Sequence, residues 1–291
     1  MKNTENVFDS RRLEPHCVRH RIRNTPVTII LGLICEHCIV LASDSQTTFE
    51  GGAKRCDSDK ITKIQFKNGG CALVAQSGNA DLGSRAVEII EERALGMDMV
   101  SQRTAVELAE SAIKELNVKL RGAREGWGLD SDGITKLFTE FDFKLMVANY
   151  FDGNPYIYTV DFVTGIARRQ KTRVATLGCG ASLAEFQVVG IPVETFSILD
   201  GSAFAVAVIE KVKQHDSYCG GQTKVSTLHP TRGAETVRQA FIDMAAAGWA
   251  KFEDERLATI TESVLRMLGS MQDEPEFKKL FNDIEGAGKT E

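Results

Sequence analysis

Residues 28–44, with the sequence TIILGLICEHCIVLASD, are the stretch that decides the fold. An apolar run from Thr28 to Ile34 is followed by the polar pair Glu36-His37 and by a second apolar run that leads to Asp44. Two short apolar runs around a polar turn predict a β-hairpin. We therefore expect the ordered part of the chain to begin at Thr28 with two antiparallel strands.

A second hairpin is predicted directly downstream of the first. Lys60–Ile64 alternates polar and apolar residues, Gly69-Gly70 turns the chain, and Cys71–Ala75 is again apolar. The period then changes to that of helices, which are expected near 81–94, with Asp81 as the cap, and near 103–120. Further elements are predicted as strands at 142–150, 155–162, 172–177 and 222–228 and as helices at 181–190 and 202–215.

This order of elements predicts an α+β fold. Strands and helices do not alternate regularly, so a parallel doubly wound sheet is excluded in favour of two antiparallel sheets covered by pairs of helices. The polar residues 1–27 are expected to be a flexible extension or propeptide. The main domain is expected over 28–230, with a glycine-rich loop or insertion at 121–139, and a helical C-terminal extension over 231–291.

Composition excludes several classes of function. The chain has 291 residues, 35 Lys+Arg against 40 Asp+Glu, and a net charge of −5, which offers no basic surface for nucleic acid and no polybasic membrane anchor. No apolar stretch reaches the roughly 18 residues of a membrane span, and residues 1–27 lack the apolar region of a secretory signal. Seven cysteines, an odd number, are typical of reduced thiols in a cytoplasmic protein.

Cys35-Glu36-His37-Cys38 is an isolated C-x-x-C motif. Zinc needs four ligands, so one such pair is weak evidence for a metal, although His16, Cys17 and His20 are available to complete a site. A hairpin turn flanked by two partly buried thiols is the favoured interpretation. We expect neither a metal nor a cofactor.

Thr28, Asp44 and Lys60 are the informative constellation. Asp44 follows Thr28 by 16 residues and Lys60 follows it by 32, and each stands at the end of a predicted strand. A hydroxyl becomes a nucleophile when a base takes its proton, and the α-amine of a chain beginning at Thr28, with a pKa of about 7.7–8.0, is such a base. Lys60 would lower that pKa and Asp44 would orient Lys60. Solvated strand ends with a surface ion pair are the alternative.

These residues resemble the opening of a proteasome-type subunit. The pattern Thr-x-x-x-Gly at 28–32, the segment 39–44 and Lys60-Ile61-x-x-Ile64 match the β-subunit of the 20S proteasome and its bacterial HslV-type relatives in order and spacing. Three later segments are also similar to family motifs. They are 75–81 (AQSGNAD), 176–180 (TLGCG) and 216–221 (DSYCGG).

The resemblance implies a four-layer αββα sandwich and N-terminal nucleophile hydrolase chemistry. Thr28 would be the nucleophile after removal of residues 1–27, with Lys60 and Asp44 as its catalytic partners. The backbone N–H near Ala75 would stabilise the oxyanion. Asp216, Cys179 and Cys219 would support the site.

The same resemblance implies a threonine peptidase that hydrolyses polypeptides inside a homo- or hetero-oligomeric ring, with an ATPase unfoldase as a further partner. Apolar faces on helices 81–94 and 103–120 are expected to lie in ring contacts. Val27 stands where self-processing subunits carry Gly, and Cys179 and Cys219 stand where the family has serines. An inactive structural subunit and an amidase acting on a small amide therefore remain as alternatives.

Overall fold

The computed structural model of the protein describes residues 28–48, 54–125 and 142–271. The predicted extension at 1–27 and most of the predicted loop at 121–139 lie outside these ranges, whereas 121–125 continue a helix. Twelve strands and five α-helices are found within them. The strands are β1 (Ile29–Ile34), β2 (Ile39–Asp44), β3 (Thr47–Thr48), β4 (Lys54–Arg55), β5 (Ile61–Gln65), β6 (Cys71–Gly78), β7 (Phe143–Phe151), β8 (Asn154–Asp161), β9 (Ala167–Arg169), β10 (Val174–Gly178), β11 (Thr223–His229) and β12 (Gly233–Thr236).

Two five-stranded sheets form the centre of the molecule, and every neighbouring pair of strands in them is antiparallel. The first sheet has the order β10-β1-β2-β11-β12 and the second has the order β5-β6-β7-β8-β9. β3 and β4 pair separately as a short ribbon. The predicted two-sheet architecture is confirmed.

The helices cover the outer faces of the sheets, and a core lies between the sheets. The helices are α1 (Ala80–Ala94), α2 (Thr104–Glu125), α3 (Ala181–Val188), α4 (Ile198–His215) and α5 (Gln239–Met271). α1 and α2 pack on the second sheet, and α3 and α4 pack on the first. The result is a four-layer αββα sandwich.

The continuous apolar run of β1 follows from this layering, because both faces of the strand are covered. Ile29, Leu31 and Leu33 contribute to the core beneath α3 and α4, whereas Ile30 lies in the core between the sheets. A Cβ on Gly32 would approach the Met146 sulfur to 2.9 Å, so the two sheets pack closely at this point.

Four predictions from the sequence need correction, and three of them concern local structure. Asn79, not Asp81, caps α1, because its side chain accepts the Leu82 N–H. α4 begins at Ile198 rather than at 202, because Ser197 and Asp200 form a capping box there. Cys35 and Cys38 are buried, not partly buried, with exposed fractions of 0% and 2%.

The fourth correction concerns assembly. The apolar faces of α1 and α2, including Ile90 and Ile113, pack in one core cluster with strands of the second sheet. These faces are covered within the chain and are therefore not the ring contacts that the sequence led us to expect.

The C-terminal boundary at 230/231 falls inside a hairpin. β12 pairs with β11 from Ser226↔Thr236 to His229↔Gly233 and so completes the first sheet. α5 follows and packs against the α4 side of the core through Ile242 and its neighbours. No helix in the described ranges combines the length and the hydropathy that a bilayer span requires.

Candidate active site

Thr28, Asp44 and Lys60 meet at one end of the sandwich, where strands of both sheets end or begin. Thr28 precedes β1, Asp44 ends β2 and Lys60 precedes β5. The Lys60 Nζ donates to Thr28 Oγ1 at 2.7 Å, to Asp44 Oδ1 at 2.8 Å and to the Gln46 carbonyl oxygen at 2.6 Å. An ammonium group has three N–H donors, so this arrangement uses all of them.

The acid is held from two sides. Asp44 Oδ1 also accepts the Ile29 N–H at 3.0 Å, and Oδ2 accepts the Gly220 N–H at 3.0 Å. The Asp44 side chain is 0% exposed and that of Lys60 is 5% exposed. The alternative of solvated strand ends therefore does not apply, because this ion pair is buried.

Burial changes the protonation equilibrium of Lys60. Desolvation lowers the pKa of Lys60 below its ordinary value, and the neighbouring carboxylate of Asp44 opposes this effect. The pair is stabilised because its remaining hydrogen-bonding groups are satisfied by Gln46, Ile29 and Gly220. We call Lys60, Asp44 and Gln46 the lysine flank of Thr28.

A second group of side chains borders the main chain of Thr28. The Thr28 N–H donates to Cys179 Sγ at 3.4 Å, and the Cys179 thiol lies 3.4 Å from the Thr28 carbonyl oxygen. Cys219 Sγ lies 3.6 Å from Cys179 Sγ and 3.7 Å from Asp216 Oδ2. We call Cys179, Cys219 and Asp216 the thiol flank.

The two thiols of this flank are inequivalent. The hydrogen bond from Cys219 lowers the pKa of Cys179, whereas the same hydrogen bond, together with burial, raises the pKa of Cys219. Cys179 is therefore the first of the two to become a thiolate. Neither cysteine is in a disulfide.

Gly178 allows the chain to approach Thr28. Its φ is +97°, and a Cβ there would collide with the Thr28 carbonyl group and come within 3.2 Å of Ser77 Oγ. Only glycine adopts this conformation without strain. The TLGCG segment noted in the sequence therefore has a structural requirement at its first glycine.

Ala75 is the residue near which the sequence analysis placed the oxyanion donor. It lies inside β6, 0% exposed, between Ile61 of β5 and Met146 of β7. Its main chain is flanked by strands on both sides, so its N–H group lies within the sheet. Ser77, two residues further along β6, is the neighbour of Gly178 and Thr28.

Gln46 is the site residue that sequence reasoning missed. Its carbonyl oxygen accepts from Lys60, its N–H donates to the Gly220 carbonyl oxygen at 3.0 Å, and its side chain donates to the Tyr218 carbonyl oxygen at 2.9 Å. A backbone acceptor has no side-chain signature in a sequence. The nearest sequence signal for Gln46 is the Gly220-Gly221 pair. Gly220 packs so closely against the Gln46 side-chain amide that a Cβ on Gly220 would collide with it.

The thiol pair of the C-x-x-C motif lies elsewhere, at the turn between β1 and β2. Cys35 and Cys38 are hydrogen-bonded to each other, which raises the pKa of Cys35 and lowers that of Cys38. His16, Cys17 and His20, the ligands considered for this pair, lie outside the described residues. In the described part of the chain, the group of side chains spaced to hold a metal ion is the thiol flank.

The architecture is a four-layer αββα sandwich. Solved structures with this fold include Anbu (ancestral beta-subunit) from Yersinia bercovieri, which is 14% identical with a TM-score of 0.62 over 79% of this chain and 96% of that chain. Anbu from Hyphomicrobium sp. strain MC1 is 10% identical with a TM-score of 0.60 over 79% and 97%. A Gly-1 mutant of the Hyphomicrobium protein is 10% identical with a TM-score of 0.61 over 79% and 96%.

These similarities correct the family that the sequence motifs suggested. The structural neighbours are Anbu proteins, a proteasome-like group distinct from the 20S and HslV-type subunits, so the resemblance to the latter was wrong. At 10–14% identity, the similarity establishes the fold and not the activity. No family model matches the sequence, and no curated protein matches it.

Proposed function

We propose that this protein is a threonine-type N-terminal nucleophile hydrolase that cleaves peptide bonds. The observation that carries the proposal is the buried Lys60 ammonium, which donates at once to Thr28 Oγ1 and Asp44 Oδ1. A lysine held at 2.7 Å from a hydroxyl oxygen lowers the energy of the alkoxide that forms during attack.

Activation requires cleavage before Thr28. Within the chain, the Thr28 nitrogen is an amide and is not a base. Attack of Thr28 Oγ1 on the Val27 carbonyl would convert the peptide bond to an ester, and water would then release residues 1–27. The product is a Thr28 with an α-amine beside its own hydroxyl.

Peptide hydrolysis would then proceed in two steps. Thr28 Oγ1 attacks the substrate carbonyl while the α-amine accepts the hydroxyl proton and passes it to the leaving amine. Water next attacks the resulting ester, giving its proton to the α-amine, and the acid product leaves as Thr28 Oγ1 is reprotonated. Lys60 keeps the α-amine in its basic form by like-charge repulsion, and Asp44 holds Lys60 in place.

The oxyanion donor is the element of the mechanism that changes most from the sequence-based prediction. Because Ala75 pairs with strands on both sides, whereas Ser77 and Gly78 pair only with β7, we assign this role to the main chain at the end of β6, at Ser77–Gly78. This segment borders Gly178, which itself contacts Thr28. Backbone N–H groups at a strand end are suited to the role because they need no reorganisation during the reaction.

We further propose that several copies assemble, and that the substrates are polypeptides supplied in the cytoplasm, with an ATPase unfoldase as a candidate partner. The support on this chain is a set of exposed apolar side chains on and after α3. Phe186 is 78% exposed and Val189 is 77% exposed. Exposed apolar side chains of this size are typical of protein contact surfaces.

The test is the intact mass of the purified full-length chain together with its hydrolysis of a fluorogenic peptide. The wild-type protein is expected to begin at Thr28 and to hydrolyse the peptide. Thr28→Ala should retain residues 1–27 and be inactive, whereas Thr28→Ser, which keeps a hydroxyl, should retain both reactions at reduced rates. Thr172→Ala, which removes an exposed hydroxyl bonded to the Val174 carbonyl oxygen, is the matched control.

An uncleaved and inactive wild-type protein would instead favour an inactive subunit. Val27 is the specific observation behind that alternative, because a β-branched residue resists the backbone distortion that cleavage needs. Val27→Gly separates the two cases. If the flanking residue alone prevents cleavage, this substitution should restore both the loss of residues 1–27 and hydrolysis. Hydrolysis by a full-length chain that still begins at Met1 would end the proposed mechanism.

A further inference from the structure

The thiol flank has a chemistry that the proposed hydrolysis does not use. No proton, nucleophile or leaving group passes through Cys179 or Cys219 in that mechanism. Yet the two sulfurs and a carboxylate oxygen of Asp216 lie within 4.8 Å of one another, at the nitrogen side of the nucleophile. Cys219 is 4% exposed, and Cys179 and Asp216 are half-buried.

Three of the donor–donor distances in this cluster are close to those of a tetrahedral zinc site. Zn–S bonds of about 2.3 Å and Zn–O or Zn–N bonds of about 2.0–2.1 Å place two sulfur ligands about 3.8 Å apart and a sulfur about 3.5 Å from an oxygen or nitrogen. The Cys179 and Cys219 sulfurs are 3.6 Å apart, and Cys219 Sγ is 3.7 Å from Asp216 Oδ2. The Thr28 nitrogen lies 3.4 Å from Cys179 Sγ.

The three side chains come from two places in the fold, the end of β10 and the turn after α4. Cys179 follows β10, Asp216 caps the C-terminus of α4, and Cys219 lies three residues beyond it in a turn closed by the Cys219 N–H to the Asp216 carbonyl oxygen at 3.0 Å. A metal ion therefore needs little rearrangement of the chain to bind. The donor set, two thiolates and a carboxylate, is one that zinc accepts and magnesium or calcium does not favour.

We propose that Cys179, Cys219 and Asp216 form a zinc(II) site that controls the hydrolase. In the chain cleaved before Thr28, the new α-amine is the fourth ligand. This second part rests on the proposed function, because an uncleaved Thr28 has an amide nitrogen that cannot ligate zinc. Binding replaces the two thiol protons with one Zn²⁺, releases two H⁺, and occupies the lone pair that the α-amine needs as a base.

A disulfide between the two cysteines is the competing use of the same atoms. It would require the sulfurs to close from 3.6 Å to about 2.05 Å. It would also remove the Cys219 thiol that lies 3.7 Å from Asp216 Oδ2. The four-donor arrangement favours the metal. A reducing buffer distinguishes the two possibilities, because it breaks a disulfide and leaves a metal site intact.

Cobalt(II) is the probe for the site, because thiolate ligands give it an intense near-ultraviolet charge-transfer band and tetrahedral ligands give it strong visible bands. We expect both in the full-length protein purified with a phosphine reductant, and we expect zinc to displace cobalt stoichiometrically. Cys179→Ser and Cys219→Ser should each lose about half of the charge-transfer intensity. Each should also weaken cobalt binding by at least about 10–100-fold, the loss that even a hydrogen-bond partner of a ligand causes.

The matched control is the other adjacent thiol pair, replaced in the Cys35→Ala/Cys38→Ala double variant. Its cobalt spectrum should equal that of the wild type. Asp216→Asn should keep both thiolates, and therefore the charge-transfer intensity at saturation, but bind more weakly. Thermal unfolding of each variant shows that it is folded. A wild-type protein without the bands, or bands retained in both Cys179→Ser and Cys219→Ser, would overturn the site.

Zinc inhibition tests the regulatory part separately. Peptide hydrolysis by the wild type should fall at least 10-fold at the zinc concentration that displaces cobalt, and a chelator should restore it. For Cys219→Ser, the ratio of activity with zinc to activity without it should stay near one. Hydrolysis that persists while zinc occupies the site would overturn the control of activity. If the protein hydrolyses nothing at all, the proposed function fails, and the cobalt spectrum still decides whether the metal site exists.

Discussion

The lysine flank and the thiol flank border the same residue but hold it in different ways. On the lysine flank, Lys60 makes three contacts of 2.6–2.8 Å, one of them to a buried carboxylate. On the thiol flank, the contacts of Cys179 and Cys219 are 3.4–3.7 Å long and involve sulfur, a weak donor and acceptor. The hydroxyl of Thr28 is therefore held tightly, and its main chain is bordered by soft, ionisable groups.

The two flanks are therefore expected to affect different properties of the site. Charge-assisted hydrogen bonds in a buried site contribute strongly to both stability and transition-state energy. Thiol contacts contribute little to either, but thiols can change their protonation state or bind a soft metal. We therefore expect substitutions on the two flanks to differ in size, which the following predictions test.

Lys60→Met should have the largest effect. It removes the ammonium that faces Thr28 Oγ1, and peptide hydrolysis should fall by about 10²–10⁴-fold. It also leaves the Asp44 carboxylate buried without its partner, which should lower the free energy of unfolding by about 3–5 kcal/mol. The measurements are kcat/KM and urea denaturation.

The matched control for Lys60→Met is Lys63→Met, on the exposed side of β5. It should change neither quantity appreciably. If Lys60→Met has the same free energy of unfolding as the wild type, the Asp44 carboxylate is not the buried ion that the distances indicate. Hydrolysis within threefold of the wild type would remove Lys60 from the mechanism.

Gly178→Ala should have the next largest effect, because it acts on Thr28 through the main chain. A left-handed φ costs a Cβ-bearing residue about 1–2 kcal/mol, and the collision with the Thr28 carbonyl group adds about 1–3 kcal/mol. Gly190→Ala is the control, since Gly190 has a φ of +78° with nothing within 4 Å of its Cβ position. Thermal denaturation should show a greater loss for Gly178→Ala. Equal losses would mean that the close approach to Thr28 is not present in solution.

Cys179→Ser should have a smaller effect on metal-free hydrolysis. Serine keeps a hydrogen-bonding group at the Thr28 main chain, and the net value of one such bond, about 0.5–1.5 kcal/mol, corresponds to a change of about 2–12-fold in kcat/KM. The assay contains a chelator so that metal does not contribute. A loss as large as that of Lys60→Met would erase the distinction between the flanks.

The pH dependence of stability should show the smallest effect. Burial lowers the pKa of Lys60 in the folded state, so between that pKa and the unfolded value of about 10.4 the unfolded chain binds more protons. The contribution of Lys60 to stability should therefore rise with pH between these two pKa values and be constant below the lower one. The measurement is the free energy of unfolding as a function of pH. Subtracting the values for Lys60→Met from those for the wild type gives the contribution of Lys60. A difference that falls with rising pH would contradict the direction of the shift.

Local patterns in the sequence predicted most of the sheet structure. The β1–β2 hairpin was evident because two apolar runs flank a polar turn, and such a pairing depends on neighbours in the chain. The cap at Asn79 and the start of α4 at Ser197 were missed, because several polar residues near each helix start can cap it and only geometry selects one. β12 was missed for another reason, since a four-residue edge strand has too little pattern to separate it from a turn.

The sequence by itself determined the spacing that brings Thr28, Asp44 and Lys60 together. Each stands at a strand end, and the β1–β2 hairpin returns the chain from Thr28 to Asp44, whereas Lys60 begins a strand of the second sheet and is brought to them by the packing of the two sheets. Only the tertiary structure decided what surrounds them. It enclosed Ala75 between two strands, and it recruited the carbonyl group of Gln46, which carries no residue-specific signal. It also brought Cys179 to 3.6 Å from Cys219, 40 residues away, because Gly180, just after β10, lies close to both Ile29 and the Cys219 sulfur.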